Sequence, residues 1–401
     1  MKRRRVKITG IGPVTPLGIG RSSFLSALLS GESKVRSIKR FIEEAGPFIA
    51  AEVSDFSPEH LLHQPILRKM PRHTQFALVA VMQALADAKI GLGELASSKI
   101  GLHVGAALMD FGPINRTIDL ISRKGPIAGL PSAIASASPS SIASAIAKFL
   151  KMQSVASMTY QSACCSGIDA IGHGLQAVLG REVDIAICGG TEAPLFLHPM
   201  LELRMAGLSS SNQYLPENQC RPFDLWRTTG AIGEGSCMLV LEPNESPRKA
   251  YAYIDGYASA GDYKETPCSG LFHAMKECLS SAAIAPSEVE AISAWGPGHR
   301  EIDKQEARAI RLLFESSIAN IPVYSIKGAI GNPLGAAGAI QAGAAACCID
   351  AAVIPPTVNW SFRDPDCNLN LSSVPRAVGH KNCLVNTHGI SGANSCLLIS
   401  Q

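Results

Sequence analysis

The run Ser162-Ala163-Cys164-Cys165-Ser166-Gly167 carries the clearest chemical possibility in this chain. It joins a strand-like stretch over 157–160 to a helical one over Ser166–Leu179. A turn of small residues between strand and helix exposes its side chain above the sheet, and the helix N-terminus adds partial positive charge and unbonded N–H groups. Both lower a thiol pKa and stabilise an oxyanion, so a nucleophile at Cys164 is chemically reasonable. The plainer alternative is two cysteines packed in a tight turn. Of the 12 cysteines, none forms a CxxC pair, and the adjacent pairs Cys164-Cys165 and Cys347-Cys348 cannot chelate zinc alone. Cys188, Cys237, Cys278, Cys383 and Cys396 lie in apolar context and read as reduced core residues.

The rest of the chain must position that turn. Apolar periodicity and turn residues predict strands over 6–11, 100–106, 183–188 and 237–241, with helices over 22–30, 71–90 and 131–150. Further on they predict strands over 252–257, 289–295, 321–325, 382–386 and 395–399. The helices between them fall at 269–283, 302–314 and 334–348. Charge and proline at 245–248 mark a hinge. Strands alternating with helices imply α/β layers with buried sheets. The Ala- and Gly-rich helices can be buried on all sides. Element order divides the chain into halves, 1–245 with the nucleophile loop and long insertions, and 246–401, as in a duplicated core.

Several ordered motifs run nearly the length of the chain. They include Thr9-Gly10-Ile11-Gly12, Thr15-Pro16-Leu17-Gly18, the helix over 72–88, and Ala163-Cys164-Cys165-Ser166-Gly167. Gly189-Gly190-Thr191-Glu192, Arg221-Pro222-Phe223-Asp224, Gly233-Glu234-Gly235 and Val353-Ile354-Pro355-Pro356-Thr357 follow. With these the chain resembles the elongating β-ketoacyl-acyl-carrier-protein synthases, condensing enzymes of thiolase fold. The resemblance implies a five-layered αβαβα architecture with a duplicated core. It implies Cys164 as the acyl-bearing nucleophile, the backbone N–H groups of Cys164 and Ile390 as oxyanion hole, and no cofactor or metal.

In that family two histidines hold the thioester carbonyl of malonyl carrier protein during decarboxylation. Here Trp295 stands at the first position, in Trp295-Gly296-Pro297-Gly298-His299, with Asp303 in register further on. Asn332 stands at the second, in Lys327-Gly328-Ala329-Ile330-Gly331-Asn332, where Lys327 is kept. The C-terminal glycine loop reads Gly389-Ile390-Ser391-Gly392, and Arg227-Thr228-Thr229-Gly230 replaces an Arg-Asp-Gly-Phe signature. Asn332 can donate an N–H but carries no charge and moves no proton; the Trp295 indole donates one hydrogen bond, accepts none and is bulkier than imidazole. Losing each clamp donor costs about 3 kcal/mol or more, roughly 10²–10³-fold in rate, without simple additivity.

The favoured expectation is therefore a chain-length-factor-like partner of an active ketosynthase in type II fatty-acid or polyketide (including polyene) biosynthesis. It pairs as a heterodimer, or with itself as a homodimer, and works with acyl carrier protein. The alternative is a cysteine-dependent acyltransferase that transfers or hydrolyses a carrier-protein thioester without elongation. A third is a divergent ketosynthase that recruits His299 or His388. Lys327 either supports a thiolate by its charge or pairs with Glu234 or another buried acid. Lys69, Arg72, Arg204 and Arg221 are candidates for a basic patch that docks an acidic carrier.

Composition is consistent with this class. Only 17% of the 401 residues are charged, which excludes a disordered chain, and the net charge of +3 argues against a dedicated nucleic-acid binder despite Lys2-Arg3-Arg4-Arg5. That run leads into Val6-Lys7-Ile8-Thr9-Gly10, and no apolar stretch of about 18 residues follows, so neither signal peptide nor membrane span is expected and a cytoplasmic location is. No glycine-rich nucleotide motif follows a strand, and no His/Glu cluster points to a metal.

Overall fold

The computed structural model describes residues 4–38, 46–60, 70–212 and 214–401. Two successive runs of five strands build its main sheet. The first holds β1 (Val6–Thr15), β2 (Ile100–Gly105), β3 (Val155–Tyr160), β4 (Ile185–Glu192) and β5 (Gly235–Pro243). The second holds β6 (Ala252–Gly261), β7 (Ala291–Ser293), β8 (Val323–Tyr324), β9 (Asn382–His388) and β10 (Ala393–Ser400). Their order is β3-β2-β4-β5-β1-β6-β10-β9-β7-β8. Read outward from the centre, both halves give the same pattern. β1 is antiparallel to β5 and β5 to β4, and then β4, β2 and β3 run parallel. β6 is antiparallel to β10 and β10 to β9, and then β9, β7 and β8 run parallel. Within the sheet the halves pair through β1 and β6, over Val6, Lys7 and Ile8.

Five helices complete the layers: α1 (Arg72–Ala88), α2 (Ser166–Leu179), α3 (Leu271–Ala282), α4 (Arg300–Phe314) and α5 (Ala337–Asp350). α1 covers β1, β4 and β5 on one outside; α3 covers β6, β9 and β10 on the other, with α4 against it. α2 and α5 lie between and touch strands of both halves. This is the αβαβα order. α5 has no polar face, and 13 of its 14 residues are buried. Its alanines and glycines let the strands of both halves close on it, and dispersion over that contact holds the centre together.

The duplication reaches single residues. The register shifts after Ile8 in β1 and after Ile254 in β6. A Cβ on Gly10 would lie 2.1 Å from the Ala84 carbonyl oxygen of α1, and one on Gly256 would lie 2.5 Å from the Cys278 carbonyl oxygen of α3. Each half thus seats its outer helix on a glycine beside a bulge.

Three expectations are corrected. The helix over 131–150 is two, Ala133–Ala137 and Ser140–Phe149, because Pro139 pushes Ser138 into extended backbone. The helix over 334–348 opens with a 3₁₀ turn, Leu334–Ala336, before α5. The 245–248 segment is pinned, not hinged: Lys7 donates to the carbonyls of Ser246 and Arg248 at 2.6 Å each, and Arg248 pairs with Glu94 and Glu242. Unanticipated were a small sheet of Val35–Ile38, Phe48–Ala51 and Ile232–Gly233, and a helix at Phe111–Lys124. Among the described residues no helix is long and apolar enough to cross a membrane.

Candidate functional site

Between β3 and α2 the chain turns sharply. Ala163 takes a left-handed conformation at φ 50°, uncommon for a residue with a Cβ. The Ser166 hydroxyl fixes the turn, accepting from the Ser162 N–H at 3.0 Å and donating to the Ala163 carbonyl at 2.5 Å. Cys164 follows at the head of α2 and is only 3% exposed. All twelve cysteines are free and buried.

The second half of the chain brings its loops to this thiol. The Asn332 side chain, the Ile390 N–H, Lys327 and Glu192 all lie near enough to Cys164 to act on its protonation. The Asn332 Oδ1 accepts from the Leu334 N–H at 3.2 Å, so its NH₂ is the end left for the sulfur. Loop 389–392 presses closely here: a Cβ on Gly389 would sit 3.0 Å from that of Ala163 and 3.4 Å from the Cys164 nitrogen. Burial pushes the Cys164 thiol up to about 12, and Glu192 adds to this against the pull of Lys327, Asn332 and the Ile390 N–H.

Lys327 is wholly buried. Its ammonium donates to Gln341 Oε1 at 2.7 Å and lies 4.0 Å from the centre of the Trp295 ring. Gln341 is itself held by the carbonyls of Ala294 and Asn386. Burial brings Lys327 down to about 7, although Cys164, Glu306, Cys220 and Asp303 pull upward. The expected pairing with Glu234 is corrected: that carboxylate holds Arg72 at 2.7 Å and the Val53 N–H at 3.1 Å. Trp295 is 2% exposed and shares an apolar cluster with Cys164, Phe223 and Leu334.

Three buried carboxyls brace these loops. Glu192 accepts from the N–H groups of Ala107, Leu108 and Gly335. Glu306 accepts from those of Trp295 and Gly296 at 2.7 and 2.8 Å, and Asp303 from Phe223 and Gly298. Burial raises Glu192 to about 8 and Asp303 and Glu306 to about 7. Sequence reasoning missed Glu306. Its signal was available: Asp303 and Glu306 stand three apart on the face of α4 that also carries Ile302 and Ile310.

The two histidines offered as substitutes are placed otherwise. His299 caps α4, its Nδ1 accepting from Glu301 and Ile302 at 3.2 and 3.3 Å. His388 bonds Asn394 Oδ1 through Nδ1 at 3.0 Å and lies 4.0 Å from Asp262. Burial lowers the pKa of both. The site therefore holds a neutral thiol, a lysine that gives up its charge as pH rises through about 7, an amide and an indole, with the Ile390 N–H close to the thiol.

The comparisons fit this geometry. The family model for the beta-ketoacyl synthase N-terminal domain matches residues 3–246, and that for the C-terminal domain matches residues 251–361. The chain belongs to the beta-ketoacyl synthase family. It is 33% identical to a 3-oxoacyl-[acyl-carrier-protein] synthase 2 of Coxiella burnetii over 419 residues, covering 100% of this chain and 99% of the relative. A similar structure, the ishigamide ketosynthase/chain length factor, superposes with a TM-score of 0.93 at 29% identity over 100% of this chain and 99% of that one. A type II polyketide synthase acyl-carrier protein in complex with its ketosynthase, bound to the hexaketide, gives 0.91 at 27% identity, again over 100% and 99%. The αβαβα layering is thus the thiolase-like fold of this beta-ketoacyl synthase family.

Arg72 is engaged by buried Glu234, and Arg221 bonds Asp224 at 2.9 Å. Arg204 lies over the Phe48 ring, 4.3 Å from its centre. Lys69 lies outside the described residues.

Proposed function

We propose that this chain is a chain-length-factor-like partner subunit of an active ketosynthase in type II fatty-acid or polyketide biosynthesis, polyenes included, and not itself a condensing subunit. One observation carries the reading: the groups gathered at Cys164 from the family's histidine positions are Trp295 and Asn332. Neither can take the proton from the thiol or hold charge at a carbonyl. Burial and the nearby Glu192 carboxyl keep the thiol protonated.

The surface supports pairing. Among the described residues β3 ends the sheet and pairs only with β2, leaving its outer edge without a strand partner, and no lysine or proline guards Val155–Tyr160. Helix Phe111–Lys124 packs on Pro126–Ala128 and Ala133–Ala137, and this group exposes Ile118, Ile121, Ile127 and Ile134. Exposed apolar surface and a free strand edge are what a partner of the same fold would cover.

A second reading is acyl transfer without elongation. It is favoured by the retained thiol at the head of α2 and by the Ile390 N–H close to it. Intact-mass measurement after incubation with acyl carrier protein thioesters separates the two. The partner reading expects the unmodified mass; an adduct mapped to Cys164, and absent in Cys164→Ala, favours the transferase.

A further inference from the structure

Two segments, 214–228 and 359–366, carry large apolar side chains outward, and neither the site nor the edge of β3 uses those side chains. Buried Asp224 stitches the segments together. Its carboxylate accepts from the N–H groups of Trp226, Ser361 and Phe362 at 3.0, 2.8 and 2.7 Å and from Arg221 at 2.9 Å. The Leu225 N–H donates to the Phe362 carbonyl at 2.9 Å, and Asn359 donates to the carbonyls of Glu217 and Cys220. With the backbone held so, Trp226 is 64% and Phe362 54% exposed, and Tyr214, Leu215 and Leu225 are exposed beside them in the chain. Apolar groups of this size held in water forgo the stabilisation of burial and mark a contact surface. The free charge around them is positive. Asp224 and Asp364 pair with Arg221 and Arg227, and Asp366 with Lys304, so half-buried Glu217 is the one acid of these segments outside an ion pair among the described residues. Arg363 is exposed, as is Arg300, whose carbonyl accepts from Arg227 at 3.0 Å; neither forms an ion pair among the described residues. Glu301, next to Arg300, accepts from Gln305. An indole with an apolar body and one N–H, flanked by guanidinium groups, suits the boundary between anionic headgroups and acyl chains. A second copy meeting this patch with its own would set arginine against arginine.

We propose that these segments dock the protein on the surface of a bilayer that contains anionic lipid. Trp226 and Phe362 enter the headgroup layer, and Arg300 and Arg363 meet lipid phosphates. The contact is peripheral and goes beyond the pairing reading, on which it does not depend.

The test is co-sedimentation of the full chain with vesicles of phosphatidylglycerol and phosphatidylcholine. Wild type should pellet with them, less so as salt is added, and far less with phosphatidylcholine alone. Trp226→Asp and Phe362→Asp, both surface changes, should each lower the partition coefficient by about tenfold. Ile127→Asp, at an exposed apolar position elsewhere, should pellet as wild type does. Vesicles with brominated acyl chains should quench tryptophan fluorescence in wild type and much less in Trp226→Phe, which should still pellet. Wild type that stays in the supernatant, or variants of both positions that pellet as it does, overturn the proposal. So does self-association that Trp226→Asp abolishes in the absence of vesicle binding, which assigns the patch to a second copy.

Discussion

Cys164 and Lys327 are buried within reach of each other, and neither is fully charged at neutral pH. Among the described residues the lysine has no ion pair with a carboxylate, and it rests on an amide oxygen and an indole face. Its protonation falls near pH 7 in the folded chain and near the ordinary 10.5 in the unfolded one. Between those values the unfolded chain binds the extra proton, so this group adds stability as pH rises and is most costly at pH 7 and below. Lys327→Met keeps the volume and removes the charge. The variant should gain melting temperature over wild type most at or below pH 7, with the gain fading toward pH 10.5. A difference that stays constant across a pH series would contradict the buried-charge account. At this scale the sequence was informative where a position has a motif: Cys164, Trp295, Asn332 and Lys327 all meet. It was silent where contact depends on folding, since Gln341 reaches Lys327 only after α5 is set between the two halves.

Strands and outer helices meet at two glycines related by the duplication. Gly10→Ala and Gly256→Ala each place a carbon against a helix carbonyl, so each should destabilise by about 1–3 kcal/mol in chemical denaturation. Equal stability to wild type at either position would mean that helix and strand are less closely seated than this. The Arg72 to Glu234 pair ties α1 to the start of β5. Arg72→Met leaves a buried carboxylate without its cation and should cost about 3–5 kcal/mol, read as a lowered denaturation midpoint. Element types were legible from periodicity, but several ends were not. The first strand reads as ending at residue 11, yet β1 continues to Thr15, with Pro13 opposite Cys237. Gly12 is why the strand stays usable there: its missing side chain admits Ala80, whose carbonyl oxygen would be 2.0 Å from a Cβ. Turn residues predicted a stop; packing against α1 overrode it.

At the scale of the whole molecule, the repeated strand order makes one half a scaffold for the turn of Cys164 and the other a source of the loops that close on it. The order of elements anticipated this duplication. The free edge of β3 and the exposed helix Phe111–Lys124 were not legible, because exposure is a property of the assembled layers. A subunit built this way should matter through the partner it covers, not through its own thiol. The direct measurement is product formation by the reconstituted pair, this chain with an active ketosynthase and acyl carrier protein. With Cys164→Ala in this chain, the pair should form the same products at the wild-type rate, while the equivalent change in the ketosynthase should abolish them. Loss of products on Cys164→Ala, with the pair still assembled, would contradict the account.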